Sequence, residues 1–302
     1  MSTLQKYQNQ PYPNLLTSLE LIKPITWFPP MWAFLCGAVS TGMISTKNLD
    51  LVLLGVVLSG PVVCGMSQAA NDWCDRHVDA INEPNRPIPS GRMPGRWGLW
   101  IAIALSFTSL LIGWFLGTWG FIATIVGVFC AWIYSAEPVR LKKSGIIGPF
   151  VVGLCYEGLP WFTGAAVLSI GLPRIETLLL AILFAIGAFG IMTLNDFKAI
   201  EGDKRMGIKS LPVALGQKPA AKVACASMIL PQILVILLLF SWNLPVYAIS
   251  LLMSLVLQIL AMRRLIRDPK MYAPWYNGTG VILYVAGMML SAIAIASKAV
   301  VT

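Results

Sequence analysis

The chain has 302 residues, 57% of them apolar and only 12% charged, with a mean hydropathy of +0.74. That balance excludes an ordinary soluble globular domain and describes an integral membrane protein. The net charge of +9 would suit a nucleic-acid binder, but the cations fall in the loops between apolar runs, which excludes that class.

In chain order, the polar stretch MSTLQKYQNQPYPN comes first. It lacks the short apolar core of a cleavable signal peptide, so the first span is expected to stay in the mature protein. Apolar runs near the ~20 residues that cross a bilayer follow at about 24–44, 51–70, 98–117, 119–135, 146–168, 177–195, 222–241, 245–262 and 278–297. They predict an all-α polytopic bundle of nine transmembrane helices, forming one integral-membrane domain over residues 1–302 with the lipid bilayer as its solvent. Of the 22 Lys and Arg residues, only Lys47, Arg174 and Lys298 fall on one side of this arrangement, and the other nineteen fall on the opposite side. By the positive-inside rule the N-terminus and the loops after helices 2, 4, 6 and 8 are cytoplasmic. The six cysteines, Cys36, Cys64, Cys74, Cys130, Cys155 and Cys225, contain no CxxC pair and read as small core residues.

The informative polar residues lie at the cytoplasmic ends of helices 2 and 6. Asn71-Asp72-Trp73-Cys74-Asp75-Arg76-His77-Val78-Asp79 closes the first, and Asn195-Asp196 followed by Asp203 closes the second, 124 residues later. Asp72, Asp75 and Asp79 stand at i, i+3 and i+7, which at ~100° per residue places them on one helix face. Gln68, one turn earlier, is read either as a contact to bound ligand or as a helix-packing hydrogen bond. Seven of the thirteen acidic residues fall between Asp72 and Glu83 or between Asp196 and Asp203. Crowded carboxylates repel one another unless cations neutralise them. Mg²⁺ suits them, because it takes oxygen ligands and is usually shared between carboxylates and substrate phosphates.

The second copy is degenerate, with Ala199 at the middle acidic position. Glu201 would face away on a continuous helix unless Gly202 turns it inward, so Asp196 and Asp203 rank above it. Arg86, Arg92, Lys142, Lys204, Arg205 and Lys209 are candidates to hold a diphosphate, although topology alone also explains cytoplasmic cations. His77, the single histidine, is turned away from the acidic face by its helical phase and reads as a solvated group. Glu157 is the outlier, an ionisable residue in the middle of an apolar span, where such groups usually carry function.

These motifs, NDxxDxxxD near the end of helix 2, RPIPSGR after it and a second acidic motif at helix 6, resemble the UbiA superfamily of intramembrane prenyltransferases over nearly the whole chain. NDWCDRHVDAINEPNRPIPSGR, YSAEPVRLKKSG, YEGLPWFTG and MTLNDFKAIEGDKRMGIKSLPVALG resemble its chlorophyll synthase branch, and NDFKAIEGD with EPVRLKKSG is more similar to the bacteriochlorophyll-forming members than to the plant and cyanobacterial ones. The resemblance implies transfer of a geranylgeranyl or phytyl group from its diphosphate to the propionate of bacteriochlorophyllide a. Chlorophyllide, or a quinone or haem acceptor, is the alternative. It implies Mg²⁺ held by Asp72, Asp75, Asp79, Asp196 and Asp203. Diphosphate contacts would come from Asn71, Asn195, Arg86, Lys142, Lys204 and Lys209, while Tyr134 orients the diphosphate or shields a carbocation. Tyr134 also reads as an interfacial anchor. Glu157 reads either as a pigment contact or as a protonated acid bonded to a neighbouring helix. Trp27, Phe28, Trp32, Trp161 and Phe162 read as a macrocycle pocket or as ordinary packing.

The implied location is a bacterial inner, intracytoplasmic membrane, with the site on the cytoplasmic side and association with other pigment-biosynthesis or photosystem-assembly proteins. A transporter is disfavoured because transport sites lie near the midplane. A purely structural pigment-binding protein would need no paired Asp-rich motifs.

Overall fold

The computed structural model describes residues 12–205 and 207–301. The opening residues 1–11, with Lys6 and most of the polar stretch, lie outside the described residues. Every regular element among those described is helical: α1 (Leu15–Ile22), α2 (Phe28–Ser40), α3 (Leu49–Asn82), α4 (Trp97–Phe115), α5 (Gly117–Ser135), α6 (Ile147–Ser169), α7 (Ile175–Asp196), α8 (Ile200–Arg205), α9 (Leu211–Leu215), α10 (Gln217–Ser241), α11 (Pro245–Arg267), α12 (Pro269–Asn277) and α13 (Gly280–Val301).

Eight helical stretches among the described residues are long and apolar enough to cross a membrane, and the ninth expected span, α2, has only 13 residues. The shortfall is local chemistry. Lys23 adopts a left-handed conformation (φ 45°), Pro24–Thr26 forms a 3₁₀ turn, and the α-helix begins only at Phe28. Prolines suit that start, since their missing N–H falls where a helix has no partner for it. Two spans carry π-helical segments, Leu58–Cys64 around Pro61 and Leu154–Gly158. Pro61 removes a backbone donor, and the wider turn absorbs the break.

The spanning helices form a closed ring. α2 packs on α3 and α6, α3 on α4 and α5, α5 on α6, α6 on α7, α7 on α10, α10 on α11, and α11 on α13, which returns to α2. Lipid offers no hydrophobic drive between helices, so small residues that let backbones approach decide where they meet. At the α2–α6 crossing a Cβ on Gly37 would lie 1.9 Å from the Trp161 carbonyl oxygen, and one on Gly164 would lie 2.1 Å from that of Phe34. Trp161 stacks on Phe184 at 5.6 Å, Phe184 meets Tyr284 edge-on at 5.4 Å, and the Tyr284 hydroxyl donates to the Phe184 carbonyl at 2.7 Å. The Trp32 indole donates to the Val285 carbonyl at 2.9 Å and fastens α2 to α13. Trp32 and Trp161 therefore serve packing. Large apolar side chains on the outside, among them Phe107, Leu111, Trp114 and Phe129, are exposed where lipid would lie.

Both glycines of the α2–α6 crossing face backbone atoms, which cannot swing aside. Gly37→Leu and Gly164→Leu are each expected to cost about 3 kcal/mol through overpacking, measured as a lowered melting temperature in detergent. Gly171→Ala, whose Cβ would meet nothing nearer than 3.7 Å, should melt like the parent.

Candidate active site

The acidic ends of α3 and α7 open into a single cleft of 560 Å³. Its walls come from the last turns of α3, from Tyr134 on α5, from the loop before α6, and from the turn and short helix after α7. Asn71, Asp75, Asp79, Arg86, Tyr134, Lys142, Asp196 and Asp203 all line it. Residues more than a hundred positions apart in sequence thus share one wall.

Two backbone features bring the basic loops together. Ser144 and Lys209 pair in an isolated parallel β-bridge, and a Cβ on Gly145 would lie 2.1 Å from the Lys209 carbonyl oxygen. The close approach seats Ser210 over α8, where its hydroxyl donates to Asp203 Oδ2 at 2.7 Å. Burial raises the Asp203 carboxyl above its ordinary 3.8, with the Ser210 hydrogen bond opposing.

The three carboxylates of the first motif divide. Asp75 accepts from Arg140 Nη2 at 2.8 Å and pairs closely with Lys142 Nζ. Burial pushes the Lys142 ammonium below its usual 10.5, with Asp75 opposing. Asp79 Oδ2 accepts from Arg86 Nη1 at 2.8 Å, and the same nitrogen lies 3.3 Å from Asp72 Oδ1. Asp72 is 1% exposed and lies outside the cleft, held by Lys23 Nζ at 2.7 Å. The helical phase does keep Asp72 and Asp79 on one stripe, but Asp72 sits deeper, beneath Arg86 and Lys23.

The remaining expectations separate in the same way. Asn195, Lys204 and Lys209 are exposed and their side chains do not line the cleft, whereas Arg205 does. Arg92 pairs with Glu20, donates to the Asn85 carbonyl and does not line the cleft. Glu201 lines the cleft, the alternative that an inward turn at Gly202 left open. The physical reason is that α7 ends at Asp196 and α8 starts at Ile200, so the phase of one continuous helix does not apply. His77 is exposed, as its phase requires. Gln68 donates to the Tyr156 hydroxyl at 3.0 Å, and Cys64 Sγ approaches the same oxygen at 3.3 Å, so Cys64 joins the two π segments and Gln68 adds a helix-packing bond one turn further on. Glu157 is 3% exposed, outside the cleft, with Oε2 buried and unpartnered. No interhelical hydrogen bond reaches Glu157 Oε2 among the described residues.

Arg140, Lys198, Asn82 and Ser210 also line the cleft and had not been singled out. Arg140 stood in the quoted run VRLKK, where three cations within four residues were the available signal.

Among the described residues no three metal-ligating side chains converge closely enough to enclose an ion. The donor chemistry nevertheless suits a hard divalent cation. Asp75, Asp79, Asp196, Glu201 and Asp203 put carboxylate oxygens around one cleft, and such ligands favour Mg²⁺-like ions. Each acid of the first motif is neutralised by lysine or arginine instead. Arg140 Nε is buried without a partner, a donor that a bound oxyanion would satisfy.

Comparison with known proteins agrees with this chemistry. Residues 26–277 match the UbiA prenyltransferase family. The chain is 63% identical over 285 residues to the bacteriochlorophyll synthase 33 kDa chain of Cereibacter sphaeroides, covering 94% of each. It is 36% identical over 286 residues to a chloroplastic chlorophyll synthase of Oryza sativa, covering 91% of this chain and 76% of that protein. Among solved structures, a UbiA homolog from Archaeoglobus fulgidus bound to GPP and Mg²⁺ superposes with a TM-score of 0.65 at 18% identity, covering 95% of this chain and 100% of that one.

The metal-free fold holds the Asp203 proton more tightly than the unfolded chain does. Its contribution to stability is therefore full below pH 3.8 and declines as pH rises through the raised folded value. Asp203→Asn lacks that decline. In chelator it is expected to melt above the parent at about pH 8, with the gap closing toward about pH 4, read by thermal unfolding across a pH series.

Proposed function

The chain is a member of the UbiA prenyltransferase family, and from that premise we propose that it transfers a geranylgeranyl or phytyl group from its diphosphate to the propionate carboxylate of bacteriochlorophyllide a. The observation that carries this reading is the convergence of both acidic motifs and three basic side chains, Arg86, Arg140 and Lys142, on one cleft at the end of the bundle. The 63% identity to a bacteriochlorophyll synthase, against 36% to a plant chlorophyll synthase, supports the bacterial pigment as acceptor.

Asp75, Asp79, Asp196 and Asp203 would hold Mg²⁺, with Glu201 beside them and Asp72 one step removed. Bound there, the ion supplies Lewis-acid stabilisation of the departing diphosphate. The protein's own groups do the rest. With their carboxylates on the ion, Arg86, Arg140 and Lys142 would be free to bind diphosphate oxygens, and the buried Arg140 Nε has no partner to give up. Donors fixed where negative charge develops stabilise the transition state without reorganising. Val78 and Pro149 contribute an apolar wall, and Tyr134 stands beside Asp196 to limit the water that would capture an allylic cation. The acceptor needs no general base, since a propionate with a pKa near that of Glu, about 4.3, is ionised at neutral pH. We place this cleft on the cytoplasmic side of the inner, intracytoplasmic membrane, consistent with the basic residues that surround it.

The test is esterification of bacteriochlorophyllide a by the purified protein with geranylgeranyl or phytyl diphosphate. Product is expected with Mg²⁺ and none after chelation, with chlorophyllide a a poorer acceptor. Absence of esterified pigment from every donor–acceptor pair would overturn the reading. Asp75→Asn and Asp79→Asn are expected to lower turnover at least about 100-fold while keeping the parent's elution in detergent.

A further inference from the structure

Four non-glycine residues among those described have positive φ, and two of them, Lys23 (φ 45°) and Arg140 (φ 41°), are cations on the acids of the first motif. Such conformations persist only where the surroundings over-determine them, and they gather at functional sites. Arg140 belongs to the cleft. Lys23 lies outside it, at the end of α1, and nothing in the proposed reaction uses it.

The segment that carries Lys23 is held firmly. Leu21 is fully buried in the apolar cluster that contains Met66, Ala69 and Ala70 of α3. Arg92 Nη2 donates to Glu20 at 2.7 Å, so the loop after α3 clasps the same helix. The Thr26 hydroxyl donates to the Lys23 carbonyl at 2.8 Å, and the Trp27 indole donates to the Ile22 carbonyl at 2.8 Å. All of this presents one ammonium to one buried oxygen, Asp72 Oδ1, at 2.7 Å.

The same oxygen is one of three carboxylate partners of Arg86, whose Nε also donates to Glu83 Oε2 at 2.7 Å on the exposed side. Arg86 Nη1 lies 2.8 Å from Asp79 at the cleft wall and 3.3 Å from Asp72 behind it. Asp72 Oδ2 is buried and unpartnered, so the two cations on Oδ1 carry its neutralisation. A buried carboxylate deprived of one cation pulls harder on the other.

We propose that Lys23 is a positioning residue of the donor site: by neutralising Asp72 it keeps Arg86 on Asp79, at the cleft, where the guanidinium meets the diphosphate. The proposal rests on the diphosphate reading of the cleft. Without the Lys23 ammonium, Arg86 is drawn back onto Asp72. The cleft then loses a diphosphate donor, and Asp79 loses its cation and becomes a stronger site for a divalent ion.

The experiment compares the parent, Lys23→Met, Lys23→Arg, Arg86→Met and the Lys23/Arg86 double variant. Binding of Mn²⁺ to substrate-free protein is followed by paramagnetic resonance, and binding of a geranylgeranyl thiodiphosphate analogue by calorimetry. Lys23→Met is expected to weaken the analogue about tenfold, the scale of lost supporting contacts, and to tighten Mn²⁺ binding several-fold. Lys23→Arg restores both values. In the Arg86→Met background, Lys23→Met should no longer weaken the analogue, because it acts through Arg86. Unchanged binding in Lys23→Met, or an equal loss with and without Arg86, overturns the proposal. If Lys23→Met does not fold, Lys23→Gln is read by the same two measurements and the same criteria. A parent that binds no analogue refutes the donor reading itself, a result distinct from a parent that binds it and a Lys23→Met variant that binds it equally well.

Discussion

Everything at the acidic end of this bundle depends on neutralising carboxylates that the apolar helices hold away from water. A desolvated carboxylate is costly unless it is paired and hydrogen-bonded. Asp72, Asp75 and Asp79 find their cations on three different segments: Lys23 before α2, Arg86 after α3, and Arg140 with Lys142 after α5. Those pairs therefore do more than balance charge. They fix where three segments lie, and the two that carry Arg86, Arg140 and Lys142 form walls of the cleft. Removing one partner of such a pair costs far more than the pair contributes to stability, so the arrangement specifies a geometry even where it adds little net stability.

The second motif meets the same constraint differently. Asp203 has a serine hydroxyl on it and no lysine or arginine ion pair among the described residues. Asp196, Glu201 and Asp203 are thus the cleft acids without a lysine or arginine ion pair among the described residues, and an incoming cation gains most by binding beside them. A site that is electrostatically uneven before loading has a preferred half for the metal and a preferred half for the anion. The inequality of the two motifs in sequence, with Ala199 in place of an acid, becomes an inequality of solvation and charge in space.

Much of this was legible in the sequence, for identifiable reasons. Apolar runs announce spans because each must satisfy its own backbone in lipid, and all the spans after the first appeared close to where they were expected. The first was shortened by a left-handed Lys23 and a proline turn, which hydropathy does not register. The i, i+7 spacing did put Asp72 and Asp79 on one stripe, but spacing says nothing about depth, and Asp72 is buried behind the cleft. Glu201 reaches the cleft because the helix whose phase would turn it away ends at Asp196. Cations carry two messages in a membrane protein, topology and chemistry, and composition cannot separate them: Arg140 is in the cleft, Lys204 is not, and Lys23 pairs with an acid 49 residues away. Glu157 stood out in sequence and stands out in the structure, buried with an unpartnered oxygen, in a π turn that the proposed chemistry does not use.

The hydrogen bond from Trp32 to the Val285 carbonyl has a further consequence, for the order in which the protein is made. It joins α2 to α13 across 253 positions, so the ring stays open until α13 has left the ribosome and entered the bilayer. Both acidic motifs are synthesised well before that moment. A nascent chain can thus seat its charged loops while one side of the bundle still faces lipid, and the final helix acts as the latch.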